Sequence, residues 1–265
     1  MKSLIPIALA VMTTSAAHGE SLNLESGNGT HCSLDLHHQV TVGPGFIESR
    51  DSESSAPLFA YHAPDQLAVG DEGLILDEQQ QALMLSYQQG LHSAGRDVTL
   101  ISAEAMDIAL DGVGIALATL AGAEDPDTQE FLASSEALRT KLLAEIQQPG
   151  DVYTFGGSWM EHAMGDTFER ELEPQIEALA KKSAGAIAWH AMKAVFTGGA
   201  SIERDAEIAA EAAEKAVEEK AERLEARASA LCNQLSELDT LEKDVHKAIP
   251  ELQGLDLVEV NSRSK

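Results

Sequence analysis

Hydrophobic and polar residues alternate in the first part of the chain, and this pattern predicts short β-strands over residues 31–76. An alternation that starts near His31 continues through Val40 and Val42, and β-branched residues at every second position are typical of half-buried strands. Glycine-rich turns are predicted at 43–45 and 70–73. The pattern therefore predicts a small antiparallel sheet or a pair of hairpins.

From Asp77 onward the period of the apolar residues becomes helical. Asp77 and Gln80 have the spacing of a capping box, which marks a helix start. We expect this helix to end near residues 93–97 and a second helix to follow over 101–120. Further helix starts are predicted at Asp125-Pro126 and at Ser158.

The last predicted helix has a seven-residue hydrophobic repeat, which indicates a coiled coil. A straight helix over 201–247 would be about 70 Å long, whereas a compact domain of this size is about 45 Å across. The prediction is therefore a broken helix or an elongated molecule, and the heptads can close within one chain or between two. The repeat consists of Val217, Leu224, Leu231, Leu238 and Val245, with Ala221, Ala228 and Leu235 at the second position.

Together these patterns predict an α+β protein. A small N-terminal antiparallel β-hairpin region over 31–76 leads into a predominantly helical, elongated bundle over 77–265, with a long C-terminal heptad helix. Residues 20–30 are polar and rich in glycine, and we expect a flexible leader there. We expect 31–265 to form one folded unit.

Residues 1–19 have the features of a cleaved signal peptide. Lys2 provides a positive start, a short apolar run follows, and Ala17 and Gly19 are small residues at the positions that signal peptidase requires. The preferred cleavage is before Glu20, and cleavage after Ala17 is the alternative. The apolar run is too short to span a membrane, which needs about 20 residues. The sequence therefore predicts export to the periplasm as a soluble protein.

The charge excludes several kinds of partner. The chain has 18 Lys and Arg against 44 Asp and Glu, a formal net charge of −26. Nucleic acids and anionic membrane surfaces attract basic proteins, so we expect neither as a partner.

The two cysteines, Cys32 and Cys232, are 200 positions apart. In an oxidising compartment a pair of cysteines is more often bonded than free, so a disulfide is predicted. Two buried free thiols are the alternative.

Several short segments together resemble a known family. They are Gln66–Val69, Gly73–Leu76, the helix start Asp77–Gln80, the segment Tyr87–Leu91, and Cys232 within Leu231–Leu235. In this order, with Cys32 upstream, they resemble the YggN-like proteins, a proteobacterial envelope family classed as a domain of unknown function. The resemblance implies periplasmic residence and supplies no catalytic residues. The sequence departs from the family pattern at Ser93–Asp97, where the resemblance leads us to expect a proline.

Two segments are candidate metal sites. Asp35, His37 and His38 lie on or next to a predicted strand, although neighbouring histidines on a strand point to opposite faces. Met160 and Met164 share a helix face and suit copper(I). An exposed polar edge and ordinary core packing are the alternatives.

The chain's main concentration of aromatic residues suggests where a small ligand would bind. The candidate residues are Tyr153, Trp159 and His162. A second candidate feature, the acidic stripe of Glu104, Asp107 and Asp111, is better interpreted as a solvated helix face than as a calcium site.

No motif of nucleophilic or zinc-dependent catalysis is present in the sequence. We therefore expect no cofactor, and a non-enzymatic binding, scaffolding or chaperone-like protein with a protein partner in the envelope. The alternatives are a metal- or ligand-binding protein that uses the histidine-bearing segments, and a hydrolase. The sequence does not determine the oligomeric state.

Overall fold

The structure is a computed structural model that describes residues 20–25, 30–51, 55–120, 122–146, 150–156 and 200–264. Its helices are α1 (Glu78–Leu120), α2 (Pro126–Ile146) and α3 (Ala200–Ala248), and a 3-10 turn, Pro250–Leu252, follows α3. Its strands are β1 (Glu20–Glu25), β2 (Thr30–Leu36), β3 (Gln39–Gly43), β4 (Phe46–Arg50), β5 (Pro57–His62), β6 (Gln66–Val69), β7 (Glu72–Ile75), β8 (Tyr153–Phe155) and β9 (Val258–Ser264). This arrangement confirms the predicted α+β class with an N-terminal antiparallel sheet.

The chain divides into two compact units. Unit 1 comprises residues 1–99, 148–160 and 225–265, and it contains all nine of the described strands. Unit 2 comprises residues 100–147 and 161–224.

A six-stranded antiparallel sheet, in the order β7-β6-β5-β4-β3-β8, forms much of unit 1. The predicted alternation is visible in its burial, because one face carries apolar side chains that are removed from water. The opposite face is partly exposed, as expected for an antiparallel sheet that covers a core on one side. The buried side chains of the inner face include Val40, Val42, Ile47, Phe59, Tyr61, Leu67 and Phe155.

A second, three-stranded sheet joins the two ends of the described chain, in the order β1-β2-β9. Two predictions were wrong here. Residues 20–25 were predicted as part of a flexible leader, yet they pair along β2 from Glu20 opposite Leu36 to Glu25 opposite His31. Residues 258–264 were predicted as part of the helical bundle, yet they pair with the other edge of β2. β1 pairs with the next strand of the chain, whereas the backbone partners of β9 lie on a strand far away in sequence. The local pattern of residues reveals neither pairing.

α1 is one helix of 43 residues, so the predicted break near 93–97 was wrong. The predicted start is confirmed, because the backbone N–H groups of Gln79 and Gln80 donate to Asp77 Oδ1 at 2.9 Å, and Gln80 Oε1 accepts from Asp77 N at 3.0 Å. Gly95 lies inside the helix and allows close packing, since a Cβ there would lie 2.7 Å from Phe155 Cε1. Gly95, within the segment where the break was predicted, is therefore a packing residue.

Within unit 1, α1 and α3 run antiparallel. The side chain of Gln80 donates to the carbonyl of Ala248 at 2.9 Å, so the start of one helix satisfies the end of the other. Farther along, Gly90 lies against Leu238, whose Cδ1 would be 2.8 Å from an added Cβ. Six of the eight heptad residues are buried, of which Leu231, Leu235, Leu238 and Val245 lie in unit 1, and Ala221 and Leu224 lie in unit 2. Supercoiling of α3 and an elongated bundle stay predictions.

In unit 2, α2 packs against the second part of α1. Phe131 and Leu138 on α2 form a buried cluster with Leu110 and Leu117 on α1. Asp125 caps α2, as predicted, by accepting from the backbone N–H of Asp127 at 3.0 Å. The helix predicted to start at Ser158 lies outside the described residues.

Candidate functional site

The candidate metal ligands of the N-terminal region have separate partners. His37 Nε2 lies 3.3 Å from Glu259 Oε2, and Asp35 is opposite the same glutamate in the register of β2 and β9. His38 Nδ1 lies 3.0 Å from Asp51 Oδ1, a charge contact outside hydrogen-bond geometry. Within the described part of the chain, no three His, Cys, Asp or Glu side chains are grouped to hold a metal ion.

Of the aromatic ligand-site candidates, the structure describes Tyr153 alone. Its hydroxyl donates to Asp151 Oδ1 at 2.7 Å, and its ring packs edge-on against His92 at a centroid distance of 5.2 Å. Burial and the hydrogen bond to Asp151 raise the pKa of Tyr153. Trp159 and His162 lie outside the described residues, as do Met160 and Met164.

The signal-peptide residues Ala17 and Gly19 also lie outside the described residues, and Glu20 begins β1. Cys32 lies in β2, opposite Ser262 of β9. Cys232 is buried on α3 and is not a free thiol. The pairing of the two cysteines stays a prediction.

The acidic stripe on α1 is an ion-pair cluster rather than the solvated face that we expected. Lys220 Nζ donates to Asp107 Oδ2 at 2.8 Å and also to Asp111. Arg139 donates to Asp111, and its Nε lies 2.6 Å from Asp107 Oδ1. Although burial raises the pKa of Asp107, the Lys220 hydrogen bond and the Arg139 charge lower it overall. The cluster ties α1, α2 and α3 together within unit 2.

A buried carboxylate, which the sequence analysis did not identify, lies at the centre of unit 1. Glu242 on α3 is only 2 % exposed. Its carboxylate accepts a short hydrogen bond from the Tyr87 hydroxyl, and one from the backbone N–H of Leu257 at 2.8 Å and one from that of Val258 at 3.2 Å. Glu242 therefore connects α3 to α1 and to the start of β9.

Burial raises the pKa of Glu242 to about 7, although the hydrogen bonds from Tyr87 and from the two backbone N–H groups act to lower it. Burial also raises the pKa of Tyr87 well above its ordinary value, and the charges of Glu242, Asp256 and Asp239 add to this effect. His246 Nδ1 lies 3.5 Å from Asp256 Oδ1. Burial lowers the pKa of His246, and Asp256 opposes this shift. The site is a hydrogen-bonded joint whose central group titrates near neutral pH.

A sequence signal for Glu242 exists in the heptad pattern. Glu242 lies seven residues after Leu235, at the next core position of the repeat, where an apolar residue is expected. A charged residue at such a position is retained when it is paired or hydrogen-bonded.

The segment Tyr87–Leu91 has a structural role at almost every position. Tyr87 binds Glu242, and the Gln88 side chain donates to the carbonyl of Gly43 at 2.6 Å, which ties α1 to the six-stranded sheet. Gly90 admits Leu238, and Leu91 is fully buried. The segment that suggested the family is therefore the part of α1 that organises unit 1.

The candidate interaction site is the β7 edge, which we define as Glu72–Ile75. β7 is the terminal strand of the six-stranded sheet and pairs with β6 alone among the described strands. Ile75 is 78 % exposed, the most exposed of the large apolar side chains that the structure describes. It lies in a cross-strand row with Gln66, His62 and Phe46 on the outer face of the sheet. An edge strand presents free backbone donors and acceptors, so this edge can accept a further strand.

The surroundings of the β7 edge are acidic. Asp71 precedes β7, Glu72 begins it, and Asp77 and Glu78 follow it, all exposed. Between Arg50 and Arg96 the sequence contains seven acidic residues and no lysine or arginine. No helix in the described part of the chain is long and apolar enough to cross a membrane.

Comparison with known proteins gives a family and no function. No curated protein and no solved structure matches the chain at a significant level. The model of a family described as "Protein of unknown function (DUF2884)" matches residues 32–258, which is well over half of the chain, in agreement with the resemblance to a YggN-like family of unknown function. The chain therefore belongs to the family described as "Protein of unknown function (DUF2884)".

Proposed function

We propose that this protein is a non-enzymatic binding or scaffolding protein of the bacterial envelope, which holds a protein partner at the β7 edge. The observation that supports this proposal is the exposure of Ile75 on a sheet edge. Exposed apolar side chains beside unpaired strand edges are the features that proteins use to add a partner strand.

The polar clusters of the described residues support a binding role through their geometry. Glu242 joins α3 to α1 and β9, and the Asp107–Asp111 cluster joins three helices. In both clusters the charged groups are occupied by internal partners. We infer that they stabilise a framework, whereas Ile75 of the β7 edge is exposed.

The proposal includes export and a disulfide. The signal-peptide pattern of residues 1–19 supports periplasmic residence, with cleavage before Glu20. Removal of Lys2 with the signal peptide would bring the net charge of the mature chain to −27. The burial of Cys232 and the absence of a free thiol among the described residues favour a Cys32–Cys232 bond. The seven-residue repeat likewise supports a coiled-coil arrangement of α3 in an elongated helical bundle.

Site-specific photo-cross-linking tests the proposed function. A benzophenone amino acid replaces Ile75 in the full chain. This chain is expressed with its signal peptide in a bacterium that has a periplasm. The matched control carries the same group at Leu85, which is 43 % exposed on α1 in the same unit. In the periplasmic fraction, we expect one protein to cross-link to the chain that carries the benzophenone at position 75 and not to the chain that carries it at position 85. After purification, this partner should bind the unmodified protein again.

Two results would contradict the proposal. One is a chain that keeps residues 1–19 and stays in the cytoplasm. The other is a cross-linking pattern at position 75 that is no different from the pattern at position 85.

A further inference from the structure

The β7 edge carries an apolar side chain, Ile75, and a carboxylate, Glu72, on opposite faces of the strand. Leu74 pairs with the buried Leu67, so Glu72 and Leu74 belong to the inner-face set, and Gly73 and Ile75 belong to the outer-face set. Side chains alternate between the two faces of a strand. A strand added to this edge would therefore meet an apolar residue on the outer side and a carboxylate on the other.

The acidic surroundings determine which strands fit. Like charges directly opposite each other on paired strands are destabilising, and opposite charges are stabilising. Two copies of β7 paired edge to edge would bring Asp71, Glu72 and Asp77 of both copies into one strip. The charge of this edge therefore opposes pairing with a second copy and favours a basic strand.

The absence of lysine in β7 is also informative. Exposed sheet edges are commonly protected by charged side chains, lysine above all, or by proline. β7 contains a glutamate, a glycine and two apolar residues, so its protection is by negative charge alone. Negative charge repels acidic and identical strands and leaves the edge open to cationic ones.

We propose that the β7 edge binds extended cationic segments of a partner protein by strand addition, with an apolar residue opposite Ile75 and a lysine or arginine opposite Glu72. This inference rests on the proposed function and specifies the chemistry of its partner. Ile75 and Glu72 are three residues apart, so the two complementary residues of the partner lie on opposite faces of its strand. A segment in which apolar and basic residues alternate meets both requirements.

A model peptide tests the inference on the full mature chain. The probe is a fluorescein-labelled Val-Lys-Val-Lys-Val-Lys peptide with blocked termini, and the comparison peptide replaces each lysine by glutamate. At low ionic strength we expect the cationic peptide to bind at least about tenfold more tightly, and its affinity to fall as salt is added. Hydrogen exchange should show new protection of the backbone amides over residues 71–77 when the cationic peptide is bound.

Matched variants separate strand addition from general attraction to an acidic protein. Ile75→Lys should weaken binding of the cationic peptide about tenfold or more, whereas Leu85→Lys, with the same charge change on α1, should leave it nearly unchanged. Glu72→Lys should remove the preference for the cationic peptide, and Glu237→Lys, at an exposed position on α3, should keep it. Circular dichroism verifies that each variant is folded.

Three results would overturn the inference. They are no binding of the cationic peptide, equal losses in Ile75→Lys and Leu85→Lys, and binding without protection at 71–77. If a purified partner still cross-links at position 75 in any of these cases, the proposed function stands and the partner chemistry is wrong. If no partner cross-links there either, both proposals fail.

Discussion

Glu242 shows how one residue can depart from the pattern around it. Its heptad position calls for an apolar side chain, and its neighbours at the same step, Leu235 and Ile249, are buried apolar residues. An unpaired buried carboxylate would be strongly unfavourable. Here three donors satisfy it, and two of them are backbone N–H groups at the start of β9 that would otherwise need other partners. Glu242 therefore gives up apolar packing at this position and instead connects α3 by hydrogen bonds to α1 and to the start of β9.

The raised pKa of Glu242 predicts a pH dependence of stability. Because the folded-state pKa is about 7 and the ordinary value is 4.5, the folded state binds the proton more tightly than the unfolded state. This contribution is fully present below about pH 4.5 and is lost as the pH rises to about 7, amounting to about 3 kcal/mol. Glu242→Gln, which is neutral at all pH values, should flatten the dependence of the free energy of unfolding on pH between 5 and 7. Urea denaturation, monitored by circular dichroism at each pH, measures the free energy of unfolding.

Two further variants serve as controls for this prediction. Glu237→Gln, at an exposed position on the same helix, should leave the pH dependence as it is in the parent protein. Glu242→Leu should be less stable than Glu242→Gln, because Tyr87 and the two backbone N–H groups lose their acceptor. Parallel pH curves for Glu242→Gln and the parent protein would show that Glu242 is not the titrating group.

At the scale of elements, glycines in α1 have different roles. Gly95 is at a close contact with β8, where an added Cβ would lie 2.7 Å from Phe155 Cε1 and 3.1 Å from Tyr153 Cβ. Gly112, on the same helix, has no neighbour within 4 Å of an added Cβ among the residues that the structure describes. A glycine inside a helix is less favourable than alanine unless close packing requires it.

Alanine substitutions at these two glycines should therefore have opposite effects. Gly112→Ala should raise the free energy of unfolding by about 1 kcal/mol through helix propensity. Gly95→Ala should lower it by about 1 kcal/mol, because the cost of overpacking against the Phe155 ring exceeds the same gain. Chemical denaturation of both variants measures the difference, and an increase in stability for Gly95→Ala would show that β8 moves away easily.

At the scale of the whole chain, the two ends of the described structure meet in one sheet. β2 pairs with β1 on one side and with β9 on the other, so the strand Thr30–Leu36 becomes the neighbour of the strand Val258–Ser264. Contacts between residues so far apart in sequence close long loops, which costs conformational entropy. A covalent bond between Cys32 and Cys232 would restrict the unfolded chain, and less conformational entropy would then be lost on folding.

Removal of the predicted disulfide should lower the stability by the same amount, whichever cysteine is changed. Cys32→Ser, Cys232→Ser and the double variant should each lose a similar amount of stability, about 5 kcal/mol on the chain-entropy account for a loop of about 200 residues. Mass spectrometry of the denatured parent protein should show a gain in mass of two hydrogen atoms on reduction, since each sulfur of the broken bond becomes a thiol. Alkylation of two thiols in the unreduced parent protein would contradict the pairing.

The parts of the fold that depend on local chemistry are predictable from the amino-acid sequence. The alternation over 31–76 predicted the antiparallel sheet, and the Asp77 and Asp125 caps predicted two helix starts. These succeeded because burial period and capping are properties of neighbouring residues.

The remaining features depend on tertiary contacts. β1 and β9 are strands because β2 supplies partners on both of its edges, and α1 continues through Gly95 because β8 packs against it. The stripe of Asp107 and Asp111 is an ion-pair cluster because Arg139 and Lys220 reach it from other helices. The exposed β7 edge likewise depends on the order of strands in the sheet. Apart from the pairing of β1 with β2, these features depend on which residues that are distant in sequence become neighbours. The pattern of residues along the chain does not specify those contacts.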